Sequence, residues 1–129
     1  MSEPGIRGGQ VLPQPERHEI RIEAVLEAIA NPLRLRVLQL LAEHDELTCG
    51  TLLPDVPAST ASRHWQVLRE NGLLQARREG RTILMSLRRE DLNLRFPGLL
   101  DSVLRAIRDS DLAARHRVVP VTPGGGQTS

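Results

Sequence analysis

The chain has 129 residues, 40% of them apolar and 26% charged, and a formal net charge of +1. That length suits one small domain; no apolar run approaches the ~20 residues of a membrane-spanning helix and the polar start lacks a secretory core, so a cytoplasmic protein without a membrane partner is expected. The single cysteine, Cys49, excludes an intrachain disulfide framework and a local Cys-pair zinc site, and one Phe, one Trp and no Tyr leave no aromatic platform for single-stranded nucleic acid.

Residues 1–15 carry proline and glycine without periodicity and read as a disordered arm. The folded domain is expected over residues 16–116. Ile22, Val25, Leu26 and Ile29 are spaced for an amphipathic helix ending before Asn31-Pro32. Asn31 then suits an N-cap and Pro32 the first turn of a second helix to about Glu43, apolar at Leu33, Val37, Leu40 and Leu41. His44-Asp45-Glu46 is a polar break, and a short third helix capped by Asp45 or Thr48 runs through Leu53 until Pro54 halts it.

The fourth helix follows from Pro57 to Glu70 and has two faces. Ala61, Trp65 and Leu68 make an apolar stripe, while Ser59, Thr60, Ser62, Arg63 and Gln66 fall away from it. Asn71-Gly72 suits its C-terminal cap. The period then changes to two: Leu73 to Arg78 and Arg81 to Leu87 read as strands, with Glu79-Gly80 as a turn in which glycine supplies the positive φ. Arg88 to Phe96 reads as a connector. Pro97-Gly98 opens a last helix, apolar at Leu99, Leu100, Val103, Leu104 and Ile107 and continuing to about Arg115; residues 117–129 read as a disordered tail.

The fold class expected is mainly α with a small β-hairpin, in the order α-α-α-α-β-β-α: a short helix, a turn, a helix with a hydroxyl and arginine face, then a wing. Between Pro57 and Arg89 lie seven arginines and two glutamates, a local balance of +5 that the chain total conceals. The arginine tip suits phosphates or a narrow minor groove of duplex DNA. Ile22, Val25 and Ile29 of the first helix, with Leu100, Val103, Leu104 and Ile107 of the last, suit a symmetric homodimer interface or the cover of a monomer core.

Ala30-Asn31-Pro32-Leu33-Arg34-Leu35-Arg36-Val37-Leu38-Gln39-Leu40-Leu41 resembles the opening signature of the ArsR family of winged-helix repressors. Ser59 to Leu73 resembles its recognition helix, and Arg77-Arg78-Glu79-Gly80-Arg81 its wing. The resemblance spans residues 20–110 in one collinear order. It implies a homodimer paired through its first and last helices, acting on a pseudo-palindromic operator and released by an inducer. It also implies DNA contacts from Ser59, Thr60, Ser62, Arg63 and His64 on the helix and Arg78 and Arg81 on the wing; Gln66 and Arg77 join them by position.

The sensing side departs from that pattern. Where some members carry two cysteine ligands, this chain has Thr48 and Gly50, with Cys49 between them, and no second thiolate for a soft metal. The last helix lacks a histidine pair at i, i+3 or i, i+4. No metal site or cofactor is expected, although a metal-responsive repressor stays an alternative. Cys49 reads as a buried small hydrophobe or as a redox or effector site activated by its helix dipole. Trp65 belongs to the core. No phosphate loop, nucleophile elbow or acid/base pair appears, so no enzyme is expected. The competing reading is a winged-helix interaction or dimerisation module that reads no DNA.

Overall fold

The computed structural model describes residues 9–110. The first half of the expected arm, the expected continuation of the last helix beyond Ser110 and the expected tail lie outside the described residues. Within them the chain is mainly helical with a small antiparallel sheet, and the expected order of helices and hairpin is present with added pieces.

The first addition overturns part of the expected arm. Gln10–Val11 is a strand, β1, and Leu12 donates its N–H to the carbonyl of Ala76 at 2.9 Å. Arg69 donates to the carbonyl of Pro13 at 2.8 Å and Arg88 to that of Pro15 at 2.7 Å. Three long-range hydrogen bonds therefore strap residues 12–15 to the domain, which composition without periodicity did not reveal.

After a single 3-10 turn at Arg17–Glu19, helices α1 (Ile22–Ile29) and α2 (Pro32–Glu43) meet at Asn31. The Asn31 side chain accepts from the backbone N–H groups of Leu33 at 2.8 Å and Arg34 at 3.1 Å, so the expected cap is formed with Pro32 behind it. Helix α2 sinks Val37, Leu38 and Leu41 into the core. A two-residue strand, β2 (Leu47–Thr48), leads into α3 (Cys49–Leu52), a single turn. Helix α4 (Ala58–Glu70) buries Ala61, Trp65 and Leu68, the stripe its spacing predicts.

At the end of α4, Gly72 has φ +84°, and a Cβ built there would lie 2.6 Å from the Ile20 side chain. Ile20, itself buried, fills the space that glycine leaves. Strands β3 (Leu74–Glu79) and β4 (Thr82–Leu87) then pair from Leu74 opposite Leu87 to Glu79 opposite Thr82, turning at Gly80 with φ +66°. The sheet order is β1-β3-β4-β2, every pair antiparallel. The wing is thus braced on both edges, by the strap on β3 and by the entry to α3 on β4.

The expected connector is instead helix α5 (Arg89–Arg95), with Glu90 and Asp91 in its first turn and Leu92 buried. Acids there complement the N-terminal end of the helix dipole. Burial pushes the Asp91 carboxyl up, but hydrogen bonds from Arg17 and Arg88 outweigh it and hold the carboxyl below its ordinary range. Helix α6 (Leu99–Asp109) closes the described fold.

Burial also corrects the expected dimer face. Val25, Ile29, Leu100, Leu104 and Ile107 are core residues of the single chain. Val103 is half-buried, and it lines a shallow cleft with Val25, Ile29 and Leu99 where α1 and α6 meet. What α1 leaves outside is Ile22, 39% exposed, and Leu26, 47% exposed. Two apolar helices must satisfy their own core first, and only the flank of each stripe is left over.

Candidate nucleic-acid interface

Helix α4 places its polar residues by its buried stripe. With Ala61, Trp65 and Leu68 held inward, Ser59, Thr60, Ser62, Arg63 and Gln66 stand exposed on the other side. Pro57 precedes the first turn and offers no capping side chain, so no side chain covers the leading N–H groups. Small hydroxyls and one guanidinium surround that end. Such a surface donates and accepts hydrogen bonds without bulk, the requirement for base edges in a major groove. Gln66 lies further along, its amide donating to Glu70 at 2.9 Å.

Two expected contact residues are drawn away from this surface. His64 is half-buried, with its Nδ1 3.1 Å from the Arg34 guanidinium of α2. Burial first, then the charges of Arg34 and Arg63, lower its pKa from the ordinary 6.5, so the neutral ring accepts at Nδ1. Arg34 is fixed in turn by a bond to the carbonyl of Ala28. Arg77 is only 7% exposed. Its Nη2 donates to both carboxylate oxygens of Glu46, at 2.8 and 2.9 Å, and its Nη1 lies 3.2 Å from Glu79. The hydrogen bond to Glu46 raises its already high pKa. Arg77 therefore fastens the wing to the segment entering α3 instead of projecting from the tip.

Strand alternation explains the difference from its neighbour. Arg77 stands opposite Leu84 and points inward; Arg78, one residue on, is exposed, as is Arg81 across the turn. The side chains of Arg63, Arg78 and Arg81 have no hydrogen-bond or ion-pair partner among the described residues. The other four arginines of the basic segment are engaged: Arg69 and Arg88 hold the strap, Arg77 holds Glu46, and Arg89 donates to the carbonyl of Ala42 at 3.0 Å. The strap acceptors were hidden in the sequence because nothing local pairs Pro13 or Pro15 with them.

Beside this surface, Cys49, Leu53, Pro54, Val56, Ala61 and Trp65 line an apolar groove of about 540 Å³ between α3 and α4. Burial pushes the Cys49 thiol up, against the activation that a helix dipole would give. A helix of four residues has too few aligned peptides for a strong dipole. No group of three or more His, Cys, Asp or Glu side chains among the described residues is placed to hold a metal ion. No helix among them is long and apolar enough to cross a membrane.

Comparison with known proteins follows the same lines. A family profile for a helix-turn-helix domain matches residues 29–75. An uncharacterized HTH-type transcriptional regulator of Bacillus subtilis, YceK, is 32% identical over 82 residues, spanning 61% of this chain and 82% of the relative. The transcriptional activator HlyU of Vibrio cholerae is 31% identical over 87 residues, spanning 65% of this chain and 80% of HlyU. Its solved structure superposes with a TM-score of 0.57 at 27% identity, covering 67% of this chain and 91% of HlyU. A homodimeric winged helix-turn-helix DNA-binding domain from Mycobacterium bovis, described as a possible ArsR-family regulator, shares the fold at 24% identity and a TM-score of 0.53, covering 81% of this chain and 87% of that one.

Proposed function

This chain belongs to the HTH-type transcriptional regulators, and from that premise and its resemblance to ArsR-type winged-helix repressors we propose that it binds a pseudo-palindromic operator in duplex DNA as a homodimer and represses transcription. The observation that carries the reading is the outward face of α4 and the wing tip: Arg63, Arg78 and Arg81 have no partner among the described residues, and small hydroxyls surround Arg63. The exposed side of α4 enters the major groove, with Ser59, Thr60, Ser62 and Arg63 nearest the base edges and Gln66 behind them. Arg78 and Arg81 meet phosphates or the adjacent minor groove. A module built only to dock protein has no use for unpaired cations on both the helix face and the wing tip.

Dimerisation engages the outer flank of α1 and the cleft beside it, through Ile22, Leu26 and Val103. Exposed apolar side chains at i, i+4 next to a shallow apolar cleft favour a second copy of the same face. Operator release follows a signal other than two thiolates on a soft metal, since α3 carries one cysteine.

Titration of a labelled duplex at several salt concentrations tests the reading, with sedimentation of the complex. Affinity should fall steeply with salt, by about 0.9 in log–log slope for each phosphate neutralised, and two chains should sediment with one operator. A reporter placed behind the operator should lose expression when the chain is supplied. Salt-independent or absent DNA binding contradicts the DNA reading, one chain per operator contradicts the dimer, and a rise in expression contradicts repression.

A further inference from the structure

We propose that a cavity between α2 and α6 binds a small dicarboxylate that also carries a hydrogen-bond donor, with Arg89, Arg105 and Arg108 taking its carboxylates and Glu43 and Asp101 its donor. The cavity measures about 320 Å³, and none of its lining residues belongs to α4 or the wing tip, so the inference goes beyond DNA binding. That volume suits a small ligand, since ligand pockets run from about 300 to 1,000 Å³.

Helix spacing brings the groups together. Asp101, Arg105 and Arg108 recur at i, i+4 and i+7 and form one line along α6. Gln39, Ala42 and Glu43, at i, i+3 and i+4, form a second line toward the end of α2, which packs against α6. Arg89, at the start of α5, joins the same lining. Val103 lies on the other flank of the buried stripe of α6, in the cleft beside α1, so this cavity and the proposed dimer surface are separate.

Charge gives the ligand class. Elsewhere in the described fold acids and arginines meet: Arg17 and Arg88 hold Asp91, and Arg77 holds Glu46. Around this cavity three guanidiniums and two carboxylates form no ion pair among the described residues. Asp101 stands one turn ahead of Arg105, the order that ordinarily pairs along a helix, and still the two do not join. Arg89 donates to the neutral carbonyl of Ala42 at 3.0 Å, which leaves its charge uncompensated. The wall therefore presents both signs with an excess of one positive charge. A dicarboxylate with an ammonium or hydroxyl group complements it. Planar guanidiniums take carboxylates in bidentate pairs, and the Glu43 and Asp101 carboxylates accept from the donor. Ala42 and Leu104 are the apolar part of the lining, enough for a short carbon chain.

The test follows the arginine Nε–Hε resonances of the isotope-labelled full chain as free aspartate, malate or succinate is added at constant ionic strength. The Arg89, Arg105 and Arg108 signals should saturate together with aspartate and with malate. Succinate should bind about tenfold more weakly, because it has no donor for Glu43 and Asp101. Arg105→Gln and Arg108→Gln exchange exposed residues for another good helix former, and should abolish saturation at constant melting temperature. Asp101→Asn should narrow the gap between aspartate and succinate, and Arg81→Gln on the wing should leave every curve unchanged. Linear shifts with all three probes, or saturation that survives both α6 arginine variants, overturn the site. Equal affinity for aspartate, malate and succinate overturns the role given to Glu43 and Asp101. Operator affinity should be the same in Arg105→Gln as in the unaltered chain; a loss there would assign these arginines to DNA and overturn the site while leaving the DNA reading intact.

Discussion

Within one short stretch of chain, the base of the wing and its reading edge use the same residue type for opposite ends. At the base, Arg69, Arg77, Arg88 and Arg89 donate to carbonyls or carboxylates of the N-terminal strap, Glu46 and α2. At the edge, Arg63, Arg78 and Arg81 face outward with no partner among the described residues. Register separates them: Arg77 and Arg78 are adjacent, and strand alternation alone sends one into the fold and the other out. A local charge of +5 therefore overstates the surface offered to DNA, and the base arginines hold the geometry in which the edge arginines act.

The division is broken most severely from behind. Leu68 is fully buried on the inner side of α4, and Leu68→Ala should cost about 2–5 kcal/mol in denaturant unfolding, taking base and edge together. A loss confined to DNA binding, with stability unchanged, would show that α4 does not rest on this stripe. At the edge, Arg63→Ala should weaken operator binding by about 1–3 kcal/mol if the guanidinium reads a guanine, and leave folding alone. Superimposable binding curves for Arg63→Ala and the unaltered chain would remove Arg63 from the reading face.

Arg81→Ala against Arg77→Ala sharpens the comparison within the wing itself. Arg81→Ala should flatten the salt dependence by about 0.9 at constant melting temperature. Arg77→Ala leaves Glu46 without its partner, so it should lower the melting temperature and keep the slope. A swap of these two phenotypes would reverse the assignment of base and edge.

The smallest effect concerns pH. The folded chain holds the pKa of His64 below 6.5, so below that pH the unfolded chain takes up a proton that the folded chain resists. Stability should be complete above about 6.5 and decline as the pH falls from there through the depressed pKa, and His64→Gln should remove that part of the decline. A melting temperature that rises on acidification from 7 to 6 in the unaltered chain, but not in His64→Gln, would contradict this environment.

Much of the fold was legible because its signals are local. The Asn31-Pro32 cap, the Ala61, Trp65 and Leu68 stripe and the turn at Gly80 each depend on a few consecutive residues, and each is found where its spacing places it. The misses are long-range. β1 and β2 have two residues each, too few for a period, and pair only because β3 and β4 offer open edges. α5 is a single short helix whose acids look like a connector until Arg17 and Arg88 are seen to hold Asp91. The same limit applied to the candidate site: the exposed face of α4 follows from its stripe, whereas the withdrawal of His64 and Arg77 depends on Arg34 and Glu46, each about thirty residues away. On α1 and α6 the apolar pattern was correct, but a pattern does not say which neighbour it meets, and most of it meets the chain's own core.

Selection of genomic fragments bound by the purified full chain, followed by sequencing, tests the central claim most directly, because it reports recognition, symmetry and spacing together. The outward face of α4 predicts enrichment of an inverted repeat whose half-sites lie about 34–36 Å apart, one helical turn, and loss of that enrichment in Arg63→Ala. Recovery of unenriched genomic sequence at every salt concentration would contradict it.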